Sequence, residues 1–134
     1  MSIELEFKSN GVIIWHSGIV TGEDLISANK DVYSYKYDEG LLFQLADLSD
    51  VEDFDVSSND MATLAAMDKQ FIKGNKQFGC TVAPTDVLFG ASRQWSAQAQ
   101  RDGFDSHVVR SMDEAIAWFK SKGITVTLEN KLDE

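Results

Sequence analysis

The chain of 134 residues contains one cysteine, Cys80, and one proline, Pro84. A lone cysteine excludes an intramolecular disulfide and fits a reducing compartment. No stretch approaches the roughly 18 consecutive apolar residues of a membrane-spanning helix. Met1 to Asn10 carries Glu4, Glu6 and Lys8 and lacks the apolar core of a signal peptide, so the expectation is a cytoplasmic protein with no transmembrane segment. Basic residues are scarce, 12 against 22 acidic, which gives a formal charge of −10 and a pI near 4.5. That field repels phosphates, and no lysine/arginine cluster offsets it, so nucleic acid is not an expected partner. There is no G-x-G-x-x-G and no P-loop, hence no glycine loop built to cradle a phosphate.

What is present matches a globular domain: 43% hydrophobic and 25% charged residues. A single domain over 1–134 can bury roughly two-thirds of its unfolded surface without staples. Ile3, Leu5 and Phe7 alternate with Glu4, Glu6 and Lys8, the period of a half-buried strand. Asn10-Gly11, residues that tolerate positive φ, predicts a hairpin turn into a second strand over Val12–Val20. Thr21 with Asp24 reads as a helix cap, with a helix from about Gly22 to Tyr37 and a stop at Gly40. Of Tyr33, Tyr35 and Tyr37, at least one must face solvent.

Leu41–Leu48 is a short, nearly continuous apolar run, expected to be a strand covered on both faces and to lie at the centre of the sheet. An acidic stretch, Ser49–Asp55, follows and is expected to be a loop. Ser57 or Ser58 then caps a helix carrying Met61, Leu64, Ala65, Asp68 and Phe71/Ile72 at helical spacing, with Gly74 as its stop. Phe78–Ala83 is the next strand, ended by Pro84. A helix over about 86–102 places Leu88, Ala91, Trp95 and Ala99 on one face, with Gly103 beyond it. Ser106–Arg110 is a short strand, and Ser111 with Glu114 forms a capping box for a last helix that stops at Gly123. Ile124–Leu128 would add a final edge strand. The order β-β-α-β-α-β-α-β-α predicts an α/β fold with a mostly parallel sheet and an N-terminal antiparallel hairpin.

This order and several local motifs resemble the STAS domains, the bacterial anti-sigma-factor antagonists, and more closely their divergent STAS/SEC14-like relatives. Asp47-Leu48-Ser49 with Val51 and Phe54-Asp55 is similar to the segment where STAS domains carry a regulatory serine. Val82-Ala83-Pro84-Thr85-Asp86 with Phe89-Gly90 resembles the A-P-x-D…F-G segment of the relatives, Arg93 and Trp95 their R-x-aromatic pattern, and Glu114-Ala115 with Trp118 their terminal helix. Asp55-Val56-Ser57-Ser58 keeps the aspartate and a serine of the STAS Asp-Ser-Ser/Thr-Gly pattern and lacks its glycine. The resemblance implies a non-enzymatic regulatory or small-ligand-binding module. Its SEC14-like side implies an apolar-ligand or lipid-binding module as the alternative.

Candidate ligand-binding or regulatory residues are therefore Asp47, Asp55, Ser57, Ser58, Asp86, Phe89 and Arg93. A phosphoacceptor Ser57 at a helix N-terminus competes with a plain N-cap serine, and nearby Asp53, Asp55 and Asp60 would repel a phosphate. Asp47 and Asp55 would serve a small enzyme if paired carboxylates divided acid and base roles. The acidic run lacks the ordered ligands of a Ca²⁺ loop, so no metal and no cofactor is expected. Cys80 reads as a buried small hydrophobe, with no spacing that brings His16 or His107 to it. Phe89 and Arg93, four apart on one helix, are expected to form an exposed pair lining a cleft or a dimer contact. The cleft is expected at the carboxyl ends of the parallel strands, rimmed by Ser49–Ser57, Pro84–Asp86 and Ser111. Its occupant would be a protein partner or a small molecule, and a homodimer is compatible with exposed sheet edges.

Overall fold

A computed structural model describes residues 2–71, 76–100 and 103–128. Five strands form one sheet in the order β1-β2-β3-β4-β5, interleaved with four helices. β1 (Ile3–Phe7) pairs antiparallel with β2 (Gly11–Thr21), and β3 (Phe43–Asp55), β4 (Gln77–Val82) and β5 (Phe104–Val109) continue parallel to β2. The fold is therefore α/β with a mixed sheet, and the Leu41–Leu48 run enters its central strand at Phe43, two residues later than expected.

Crossovers of one hand between strands in sequential order put successive helices on the same face. α1 (Gly22–Ser34), α2 (Ser58–Phe71) and α3 (Asp86–Ala99) accordingly share one face, with α2 packed between the other two. α4 (Met112–Ser121) covers the opposite face, where Phe119 and Ala115 meet Ile13, Phe43, Leu45, Cys80 and Val82. Strand alternation separates the two: Phe43 and Leu45 point to α4, while Gln44, Ala46 and Leu48 line the three-helix side. Phe43 and Phe119 meet edge to face at 5.5 Å.

Local signals act where their partners are local. Thr21 and Asp24 form a reciprocal capping box at α1, and Ser111 Oγ accepts from the Glu114 N–H at α4. Gly103 and Gly123 adopt φ of 92° and 82°, as chain-reversing positions require. α1 stops at Ser34, short of the expected Tyr37, and Gly40 (φ 83°) shapes the following loop instead. Tyr35 is the exposed tyrosine, at 45%. The expected stop at Gly74, and Ile72, lie outside the described residues.

Four expectations are corrected. Ser49–Asp55 is not a loop: β3 runs to Asp55 because β2 also continues, pairing Ser17 with Asp50, Ile19 with Asp53 and Thr21 with Asp55. β4 ends at Val82, opposite Asp47, so this extension is a two-stranded ribbon that outreaches the sheet and carries its acidic side chains into solvent. Ile124–Leu128 is not a strand; Ile124 and Val126 alternate into the α4-side core without a ladder partner. The buried face of α3 is Leu88, Ser92, Ser96 and Ala99, rotated from the expected one, since Ser96 Oγ bonds Ser106 Oγ at 2.6 Å while Ala91 is only half-buried. Finally, neither Asn10 nor Gly11 has positive φ, although the hairpin forms there.

Candidate functional site

The polar interior of the protein lies on the three-helix side of the sheet. α2 turns Met61, Leu64, Ala65 and Asp68 inward at helical spacing, so its apolar stripe ends in a carboxylate that is 2% exposed. A charge at that depth needs donors. α1 supplies two from one face, the Tyr33 hydroxyl to Oδ1 at 2.5 Å and Asn29 Nδ2 to Oδ1 at 3.3 Å. α3 supplies the third, Trp95 Nε1 to Oδ2 at 3.1 Å. Gln44 on β3 donates to Tyr33 Oη at 3.1 Å, which ties the network to the sheet. Burial pushes the Asp68 carboxyl up to about 6, against the opposing pull of the three hydrogen bonds. The Tyr33 hydroxyl is likewise driven upward, first by burial and then by the Asp68 charge.

A cavity of about 100 Å³ opens beside this network, between the helices and the strands. Its walls are apolar where Ile14, Leu25, Ala46, Leu48, Phe54 and Met61 meet it, and polar at Asp68, His16, Thr81 and Ser92. His16 is 5% exposed and sits where β3 contributes two residues, Leu48 and Ser49, against one of β2. Such a bulge redirects the side chain opposite it. The ring Nδ1 lies 3.1 Å from the Asp47 carbonyl, which requires a proton on that nitrogen. Desolvation holds the imidazole below its ordinary value, partly offset by the carbonyls of Asp47 and Ile14 and by the Asp47 charge. The ring is thus neutral near pH 7, with Nε2 left as an acceptor.

The residues expected from sequence are dispersed around this centre. Asp47 is buried, and its Oδ1 accepts from both the N–H and the hydroxyl of Ser49, a local turn. Asp55 is exposed at the far end of the same strand, eight residues on and so roughly 25 Å away along extended chain. Carboxylates that divide acid and base roles in glycoside hydrolysis stand about 5–10 Å apart. Ser57 Oγ accepts from the Asp60 N–H and Asp60 Oδ2 accepts from the Ser57 N–H, each at 3.0 Å, while Ser58 is the first helical residue and is exposed. Ser57 therefore caps α2. Replacing it with alanine is expected to lower the unfolding free energy by about 1 kcal/mol, and with aspartate by much less, since aspartate caps equally well. Urea unfolding of the two variants checks this, and equal losses would contradict the cap.

Phe89 is not an exposed partner of Arg93. It is half-buried against the cluster of Leu48, Ala83 and Leu88, and Arg110 lies over its ring at 4.0 Å, with Arg93 more distant at 5.9 Å. Asp86 bridges to Arg110 at 3.0 Å in the open, a pair worth little. Cys80 is buried as expected, and the sheet register sets it opposite His107, which sequence spacing did not foresee. That imidazole stacks on Trp118 at 5.3 Å, and burial, with Glu114 nearby, pushes the thiol up to about 12, the reverse of nucleophile activation.

The cavity thus lies under the helices and not at the strand ends. From β3 and the acidic stretch at its end it receives Gln44, Ala46, Leu48 and Phe54 and none of the predicted acidic or serine residues. Sequence reasoning placed Asp68 on the inward stripe of its helix without drawing the consequence. The available signal was the carboxylate itself, at a position that the helical period reserves for apolar side chains. Among the described residues, no three His, Cys, Asp or Glu side chains converge as a metal site would need, and no helix is long and apolar enough to cross a membrane.

These features define an α/β protein with a mixed five-stranded sheet and a polar-ended cavity beneath three helices. No known protein-family model and no curated protein matches the chain.

Proposed function

We propose that the chain is a non-enzymatic, STAS-like regulatory domain that binds a small, largely apolar molecule in the cavity beneath α1, α2 and α3. The observation that carries this reading is the cavity: apolar walls closing on a few fixed polar groups are the usual composition of a ligand site. Its volume selects among occupants. At about 100 Å³ it is well below the roughly 300–1,000 Å³ of sites that hold drug-sized ligands, so a molecule of a few heavy atoms fits and an acyl-chain lipid does not. The order of elements and the A-P-x-D…F-G and E-A-x-x-W motifs support the STAS-like part of the reading.

Thermal unfolding with small neutral alcohols as probes tests it. Binding to the folded state alone stabilises by about 2.7 kcal/mol at a hundredfold excess over Kd, a shift of roughly 10 °C for a chain of this size. Ala28→Phe, which projects a ring into the cavity from α1, should abolish the shift. A wild-type protein that no alcohol of up to about eight heavy atoms stabilises, in a cavity that by volume should admit one, would not be the proposed binding domain.

A further inference from the structure

Asp68 has three neutral donors and no cationic partner among the described residues. Among the described residues, no lysine, arginine or protonated histidine pairs with it, and the histidine bordering the same cavity is held in its neutral form. Buried carboxylates are otherwise paired with a cation or bound to a metal. Its hydrogen bonds also leave capacity on one side. Oδ1 receives two donors, Tyr33 and Asn29, whereas Oδ2 receives only Trp95. His16 Nε2 has no hydrogen-bond partner among the described residues, and its lone pair is free. The acceptors left at the cavity, Asp68 Oδ2 and His16 Nε2, stand with one negative charge and the aromatic rings of Trp95 and Phe54, and the hydroxyls of Thr81 and Ser92 can turn to accept as well as donate.

We propose that the cavity takes a small primary or secondary ammonium ion bearing a short apolar group, with Asp68 as its counter-ion. This rests on the cavity-binding reading and names the chemical class of its ligand. The ammonium brings the cation that the carboxylate lacks and donors for the free lone pairs. Its apolar group lies against Leu25, Leu48 and Met61, and the aromatic faces add cation–π attraction. The net charge of −10 raises the local concentration of such cations and lowers that of carboxylates.

The test uses n-butylamine, n-butanol and butyrate, which share one apolar group and differ in head-group charge. Each is titrated calorimetrically into the wild-type protein near neutral pH. Butylammonium is expected to bind about tenfold more tightly than butanol, the difference between charge-assisted and neutral hydrogen bonds, with butyrate weakest. In Asp68→Asn, if circular dichroism shows it folded, the amine-to-alcohol preference should collapse toward unity; its persistence would overturn the assignment. If that variant does not fold, the wild-type series decides alone. Butanol or butyrate binding as tightly as the amine removes the ammonium proposal and leaves the cavity-binding reading standing. No binding by any of the three removes both.

Discussion

Replacing Asp68 with alanine is expected to lower the unfolding free energy by about 3 kcal/mol, the cost of orphaning three buried donors on two helices. Tyr33, Asn29 and Trp95 all aim at this carboxylate, and among the described residues none of the three donors has another acceptor in place if it is removed. Asp68→Asn should cost less, because its carbonyl can still accept from α1 while only the Trp95 N–H faces a donor. The loss should also depend on pH in a definite direction. The folded-state carboxyl titrates at about 6 against 3.8 for the free group. The folded protein therefore holds the extra proton between about pH 4 and 6, and stability from this group is full below that window and declines as pH rises through it. The Asp68→Ala penalty should accordingly be larger at pH 4 than at pH 8, by roughly 3 kcal/mol.

His16 acts in the opposite sense. Its folded-state pKa is lowered from 6.5, so the unfolded chain takes up the proton first and stability is lost as pH falls below that value. Comparing wild type with Asp68→Ala at each pH cancels this shared contribution. Urea titrations at a series of pH values make the measurement. A penalty below about 1 kcal/mol at pH 4, or one that grows toward alkaline pH, would contradict a buried, donor-held carboxylate.

Gly11→Ala is expected to cost about 3 kcal/mol, at the upper end for one extra methyl in a packed core. An added Cβ would lie 2.2 Å from Phe43 Cδ2 and 2.3 Å from Cε2. The ring has little room to yield: Phe43 is 1% exposed and is held edge to face by Phe119. The strand cannot yield easily either, because Gly11 and Phe43 are register partners at the start of the β2–β3 ladder. The penalty is steric and not conformational, since Gly11 does not adopt positive φ. Gly18 gives the contrast. It has φ of 64° with only Glu52 Oε2 near a built Cβ, at 4.0 Å, so Gly18→Ala should cost the ordinary left-handed penalty of about 1 kcal/mol. Shrinking the ring should rescue the first variant: Gly11→Ala with Phe43→Leu is expected to be more stable than the sum of the single changes by more than about 1 kcal/mol. Additive losses in denaturant melts would rule out the clash as the cause.

The sequence alone determined the features whose partners lie within a few residues. Element order follows from the shift between two-residue and 3.6-residue periodicity, and the caps at Thr21, Ser57 and Ser111 join side chains to N–H groups three positions on. The apolar run at Phe43–Leu48 announces a central strand because both faces are covered, one by α4 and one by α1–α3. Tertiary structure decided what depends on distant partners. Ser49–Asp55 has the composition of a loop and becomes strand only because β2, more than thirty residues earlier, offers it a ladder. Gly11 looks like a turn residue, yet what requires glycine is a phenylalanine on the neighbouring strand. The helical period sets Asp68 on the inward stripe of α2, but its meaning comes from Asn29, Tyr33 and Trp95, brought together by three crossovers onto one face of the sheet. The cavity exists for the same reason, as space left where three helices and a bulged strand meet, which no local pattern encodes.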